Sequence, residues 1–106
     1  MVSKISSQLN HLDLSDNQIM GKLPHQLAYP YVSFIDLSYN HFKGPIPLLF
    51  SNISQLYLKR NLFSGNIPSN IGDRKPHLQT LDLLENLLDA KIRFLISKMK
   101  GENWAA

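Results

Sequence analysis

The stretch "LDLSDNQIMGKLP", Leu12 to Pro24, decides the fold. Its apolar spacing alternates at Leu12 and Leu14, then shifts to Ile19 and Leu23 around a glycine, and closes on proline. Neither one helix nor one strand accounts for that rhythm. The same phrase returns as "IDLSYNHFKGPIP" at Ile35 to Pro47, "LYLKRNLFSGNIP" at Leu56 to Pro68, and "LDLLENLLDAKIR" at Leu81 to Arg93. Asn17, Asn40, Asn61 and Asn86 mark the four copies at intervals of 23, 21 and 25 residues. An apolar residue precedes each copy by three positions (Leu9, Val32, Ile53, Leu78), and another follows it (Leu27, Phe50, Ile71, Ile96). A period of this size is the signature of a stacked-repeat architecture.

The spacing explains what one copy does. Leu12 and Leu14 fall on the same side of a short strand, because side chains alternate with period two. One such strand cannot bury its apolar face alone. Stacked neighbours make a parallel sheet over a continuous core. Leu12, Leu14, Ile35, Leu37, Leu56, Leu58, Leu81 and Leu83 are the expected core. Asn17, Asn40, Asn61 and Asn86 sit where the chain turns inward, so their amides are expected to form a ladder satisfying backbone groups of adjacent coils. Gly21 permits a tight bend, and Pro24 ends regular pairing.

The pattern LxxLxLxxNxLxGxIPxxL resembles the plant-specific leucine-rich repeat, and the resemblance runs from Leu9 to Ile96. It is closest to the extracellular repeats of plant receptor-like proteins and receptor-like kinases. The resemblance implies an α/β repeat fold: a right-handed leucine-rich-repeat solenoid of about four coils with a curved parallel β-sheet. Gly21, Gly44 and Gly65 with Pro24, Pro47 and Pro68 then mark an extra short strand on one side. The implied activity is binding of a protein, peptide or carbohydrate ligand at the cell surface, in signalling or defence, without catalysis or cofactor. A soluble repeat protein that binds a secreted enzyme, and a truncated receptor-derived product without activity, are the alternatives. The reading divides the chain into a lead-in at 1–8, a solenoid at 9–96 with a degenerate fourth repeat, and a tail at 97–106. An internal piece of a receptor ectodomain, or a short gene product derived from one, is expected.

Composition bounds the rest. With 106 residues, 43% hydrophobic and 18% charged, the chain is long enough for one folded domain. The net charge of +3 comes from interspersed residues, not from the clustered basic face of nucleic-acid binders, so no nucleic-acid partner is expected. Cysteine is absent, which removes disulfides, zinc thiolates and a Cys nucleophile. The opening "MVSKISSQLN" has no apolar stretch of the signal-peptide type. No apolar run approaches the roughly 20 residues of a membrane span.

In such a solenoid the concave face displays the residues between the strand leucines. These are His11, Asp13, Ser15 and Asp16; Phe34, Asp36, Ser38 and Tyr39; Gln55, Tyr57, Lys59 and Arg60; and Thr80, Asp82, Leu84 and Glu85. They vary most among the copies, so function would be written there. Asp13, Asp16, Asp36, Tyr39, Tyr57, Lys59, Arg60 and Glu85 are the candidate ligand contacts, with Tyr39, Tyr57 and Arg60 as anchors. Asp13 and Asp36 stand in adjacent copies at roughly 5 Å, a separation at which paired carboxylates could hydrolyse glycosides. An open sheet lacks the closed pocket such chemistry needs, and the pair reads as strand scaffold. The histidines at 11, 25, 41 and 77 lack metal-ligand spacing. "NIS" makes Asn52 the glycosylation acceptor of a secreted form.

The tail has its own pattern. Ile92, Leu95, Ile96 and Met99 follow helical spacing, with Asp89 placed as N-cap and Gly101 as stop. A helix closing the last coil, a frayed end and a basic membrane-surface helix are the three readings, the closing helix being preferred. "FLISKMKGENWAA" is not expected to begin a fifth repeat. The N-terminal coil has no evident cap, so its apolar edge is expected to be exposed and open to self-association.

Overall fold

The computed structural model describes residues 10–23, 32–46, 53–65, 78–98 and 103–106. Leu9, Pro24, His25, Leu27, Pro47, Phe50, Asn52, Pro68, Ile71, His77, Met99 and Gly101 lie outside the described residues. The chain order is β1 (His11–Asp13), β2 (Met20–Lys22), β3 (Phe34–Asp36), β4 (His41–Gly44), β5 (Gln55–Tyr57), β6 (Leu62–Phe63), β7 (Thr80–Asp82), α1 (Ala90–Lys98) and β8 (Asn103–Ala105). Every strand pairing is parallel. The strands form a five-stranded sheet, β1-β3-β5-β7-β8, and a three-stranded sheet, β2-β4-β6. The repeat pattern therefore folds as a leucine-rich-repeat solenoid, with each copy adding a strand to the large sheet.

The large sheet keeps repeat-equivalent residues side by side. Leu12 pairs with Ile35, Ile35 with Leu56, Leu56 with Leu81, and Leu81 with Trp104. The middle residue of each inner strand points into the core, and Ile35, Leu56 and Leu81 are buried there. Leu37, Leu58 and Leu83, two positions further along, are buried beneath the turn. The small sheet supplies Phe42 and Phe63, whose rings stack between coils at 6.2 Å. Gly44 has φ near +91°, and a Cβ there would meet Lys22 Cγ at 3.0 Å. A left-handed backbone and a crowding neighbour together call for glycine at that position.

Two expectations need correction. Leu14, expected in the core, is 37% exposed, and Leu12 is only half-buried. Their coil is the outermost of the described stack, so it packs against a neighbour on one side only. The tail does add a fifth strand: Asn103–Ala105 pairs along β7, with Trp104 exactly one 23-residue step from Leu81. Trp104 packs on the core, and its indole N–H donates to the Leu78 carbonyl at 3.3 Å. Backbone pairing asks only for an extended segment at the sheet edge, so Trp and Ala serve where leucines stood before.

The fourth copy carries Ala90 where the others have glycine, and a helix starts there. Asp89 accepts a hydrogen bond from the Ile92 N–H at 2.9 Å, closing the first turn as an N-cap. Ile92 and Ile96 are buried against the last coil.

Candidate functional site

The ladder asparagines position everything on the turn side of the large sheet. Asn61 donates to the carbonyls of Leu37 at 2.9 Å, Leu58 at 3.3 Å and Lys59 at 3.3 Å, and accepts from the Phe42 N–H at 3.0 Å. Asn40 donates to Leu14, Leu37 and Ser38 and accepts from Ile19. Asn86 donates to Leu58, Leu83 and Leu84 and accepts from Phe63. Consecutive amides thus share the Leu37 and Leu58 carbonyls. Among the described residues Asn17 reaches only Leu14 and Ser15, in its own coil.

The residue before each asparagine is left-handed: Asp16, Tyr39, Arg60 and Glu85 all have φ of 58–59°. Non-glycine residues visit this region at a cost. Here coil closure imposes it, with the N–H of Asp16, Tyr39 and Arg60 donating to the Ser38, Lys59 and Leu84 carbonyls of the next coil. The four side chains therefore leave the backbone at equivalent points in successive coils. Arg60 places its guanidinium 5.8 Å from the Tyr39 ring centroid, a cation–π contact. Lys59 and Glu85 approach to 3.9 Å.

The aspartates of the first, second and fourth copies turn out to be turn locks. Asp13 Oδ1 accepts from the Ser15 N–H at 3.0 Å and the Ser15 hydroxyl at 2.7 Å. Asp36 and Asp82 accept likewise from the Ser38 and Leu84 N–H groups. The Ser15 hydroxyl, followed by its N–H, holds the Asp13 carboxyl below the ordinary aspartate range. Asp13 and Asp36 are register partners, but each has one oxygen committed to its own turn. An ionised, turn-bound Asp13 is poorly suited to donate a proton.

Tyr57 breaks that series in the third copy. It is the register partner of both Asp36 and Asp82, and its ring lies 5.4 Å from Phe34. Phe34 in turn stacks on His11 at 4.0 Å, the rings 7° from parallel. The Tyr57 hydroxyl donates to Gln55 Oε1 at 3.0 Å, fixing the ring. An aromatic stripe, His11–Phe34–Tyr57, thus runs across three strands on the sheet's outer face, straight from His11 to Phe34 and diagonally from Phe34 to Tyr57. Reading the sequence gave weight to Tyr57 but not to His11 or Phe34. Their equivalent positions, one strand apart, were the available signal.

At the turns that follow the large-sheet strands, Tyr39, Asn40, His41, Arg60, Asn61 and Leu62 line an open hollow of about 280 Å³. No group of three His, Cys, Asp or Glu among the described residues could hold a metal ion. No helix among them is long and apolar enough to cross a membrane.

Parallel strands in repeat register, an asparagine ladder and a free outer sheet face define the leucine-rich-repeat class of recognition scaffold. The Leucine Rich Repeat family matches residues 8–29, 31–53 and 52–73, and the chain belongs to it. The chain is 36% identical over 91 residues to Receptor-like protein 54 of Arabidopsis thaliana, covering 83% of itself and 11% of that relative. It is 33% identical over 91 residues to Receptor-like protein EIX2 of Solanum lycopersicum, covering 85% of itself and 9% of that protein. It therefore spans about a tenth of the curated relatives it matches. The crystal structure of PEPR1-AtPEP1 superposes with a TM-score of 0.59 at 29% identity, over 81% of this chain and 16% of that one.

Proposed function

We propose that this chain is the recognition segment of a plant receptor-like protein. The outer face of its large sheet binds a protein segment or peptide laid across the coils, at the cell surface or outside it. The observation that carries the reading is the aromatic stripe His11–Phe34–Tyr57. The scaffold needs none of these rings: the core is filled from the other side of the sheet, the place of Tyr57 holds a turn-locking aspartate in the other copies, and the place of His11 and Phe34 holds Gln55 and Thr80 further along. Phe34 and Tyr57 are half-buried and His11 is exposed, and aromatic rings on an open face are the usual anchors of an interface. The similarity to receptor-like proteins and to the PEPR1-AtPEP1 structure supports the same reading.

An array of synthetic peptides probed with the full chain tests it, with xylan and glucan oligosaccharides as a separate arm. Peptides that bind should lose about tenfold or more in affinity on Tyr57→Ala, as expected for an aromatic hot spot. Lys43→Ala, on the small sheet, should leave binding unchanged. Peptide binding indifferent to Tyr57→Ala would overturn the proposal, and binding of the oligosaccharides alone would replace the ligand class.

A further inference from the structure

The hollow at the turns has a chemistry of its own. The ladder amides Asn40 and Asn61 contribute to its wall, yet their hydrogens are spent on backbone carbonyls and their oxygens on the Ile19 and Phe42 N–H groups. The side-chain donors still available to a guest are the Arg60 guanidinium, the His41 imidazole and the Tyr39 hydroxyl. Arg60 lies over the Tyr39 ring and leaves a left-handed backbone position set by coil closure, which stands the cation at the hollow. Among the described residues the one ion pair is Lys59–Glu85, so neither Arg60 nor His41 is neutralised by a carboxylate. The acid that follows Arg60 in the next coil is thus already engaged by Lys59.

The geometry points to this hollow as an oxyanion subsite, in which Arg60, with His41 and the Tyr39 hydroxyl, holds a carboxylate or a sulfate or phosphate ester carried by the ligand. A guanidinium binds such groups through two parallel N–H bonds, the strongest class of hydrogen bond open to a surface side chain. The inference deepens the recognition reading and rests on it for the ligand that carries the anion. Arg60 follows Tyr57 by three residues, at most about 10 Å along the chain. The ligand should therefore bear an anionic group as well as the apolar group that meets the stripe. Asp13, Asp36 and Asp82 lie on the stripe's side of the face and disfavour an anion there, which sorts the two ends of the ligand.

The test is an NMR titration of the full chain, following backbone amides and Arg Nε–H signals. Sodium sulfate, sodium phosphate and sodium acetate are added in parallel, each against sodium chloride at matched ionic strength. Saturable shifts at Arg60 and Tyr39 are expected, absent with chloride. The arm that saturates at the lower concentration separates an ester from a carboxylate as the natural group. Arg60→Asn should weaken binding by about tenfold, from the loss of charge-assisted bonds. Asparagine accepts a left-handed backbone, so the coil is retained. Tyr57→Ala should leave the anion titration unchanged. Shifts that fail to saturate, that chloride reproduces, or that survive Arg60→Asn would overturn the subsite. A saturable anion titration without stripe-dependent peptide binding would instead sink the recognition reading and leave the subsite standing.

Discussion

Replacing Asn61 by alanine should cost about 2–4 kcal/mol. The figure follows from what the neighbouring rungs can and cannot replace. Leu37 O keeps the amide of Asn40, Leu58 O keeps that of Asn86, and Lys59 O keeps the Tyr39 N–H. The carbonyls therefore lose second partners only and stay satisfied, at about 1 kcal/mol for the three together. The Phe42 N–H loses its acceptor outright, and Phe42 is only 5% exposed. An orphaned buried donor costs about 1–3 kcal/mol and dominates the total. In a domain of this size the melting temperature should fall by about 10–20 °C. Urea unfolding followed by circular dichroism gives the free energy, and hydrogen exchange should show the Phe42 amide among those most accelerated. Asn17→Ala is the control. Its amide holds only carbonyls of its own exposed coil, and Leu14 O keeps Asn40, so about 0.5 kcal/mol or less is expected. Equal losses for the two variants would refute the argument that inter-coil satisfaction is what the asparagine supplies.

Leu37→Ala should cost about 2–5 kcal/mol in the same urea assay, whereas Leu14→Ala, at a site 37% exposed, should cost well under half as much. Comparable losses would mean that the first coil is as well packed as the second. Removing the N-cap with Asp89→Ala should destabilise by about 1 kcal/mol, with faster exchange confined to the first turn of α1. The Asp13 carboxyl should titrate below ordinary aspartate in a carbon-detected NMR pH series, and Ser15→Ala should raise its midpoint. Because this carboxyl binds its proton less tightly when folded, the turn adds stability above the ordinary aspartate value and loses it as pH falls through the lowered one. A midpoint insensitive to Ser15→Ala would refute the assigned cause.

The columns of core residues were legible because a period-two pattern copied along the chain has few other physical solutions. The helix was legible for a similar reason, since Ile92 and Ile96 with a capping Asp89 leave little choice. The left-handed row was not legible: Tyr, Arg and Glu have no preference for positive φ, and only closure of the coil puts them there. The double use of Asp13, Asp36 and Asp82 was hidden too, because an aspartate facing solvent looks the same on paper whether or not it braces a turn. The strand around Trp104 was not legible because sheet pairing is a backbone affair, and "NWAA" lacks the strand leucines, while its Asn103 falls opposite Thr80 and not at the ladder position. The stripe lay in between. Each ring could be placed on the face, but His11 against Phe34 needed the register.

The two sheets differ in how they index the repeat. In the large sheet a residue's lateral neighbour is its own counterpart in the next coil, as with Leu12, Ile35 and Leu56. In the small sheet each strand slips back by two places: Met20 pairs with His41 and Lys43 with Leu62, although the counterpart of Met20 is Lys43. A surface running across the large sheet is thus written one letter per coil. Duplicating or deleting a coil would lengthen or shorten that text without altering the other letters. On the small sheet the constant offset makes equivalent residues run diagonally, so no straight line across it reads one position of the repeat. A ligand laid straight across this solenoid therefore samples a single repeat position on one face and a drifting one on the other.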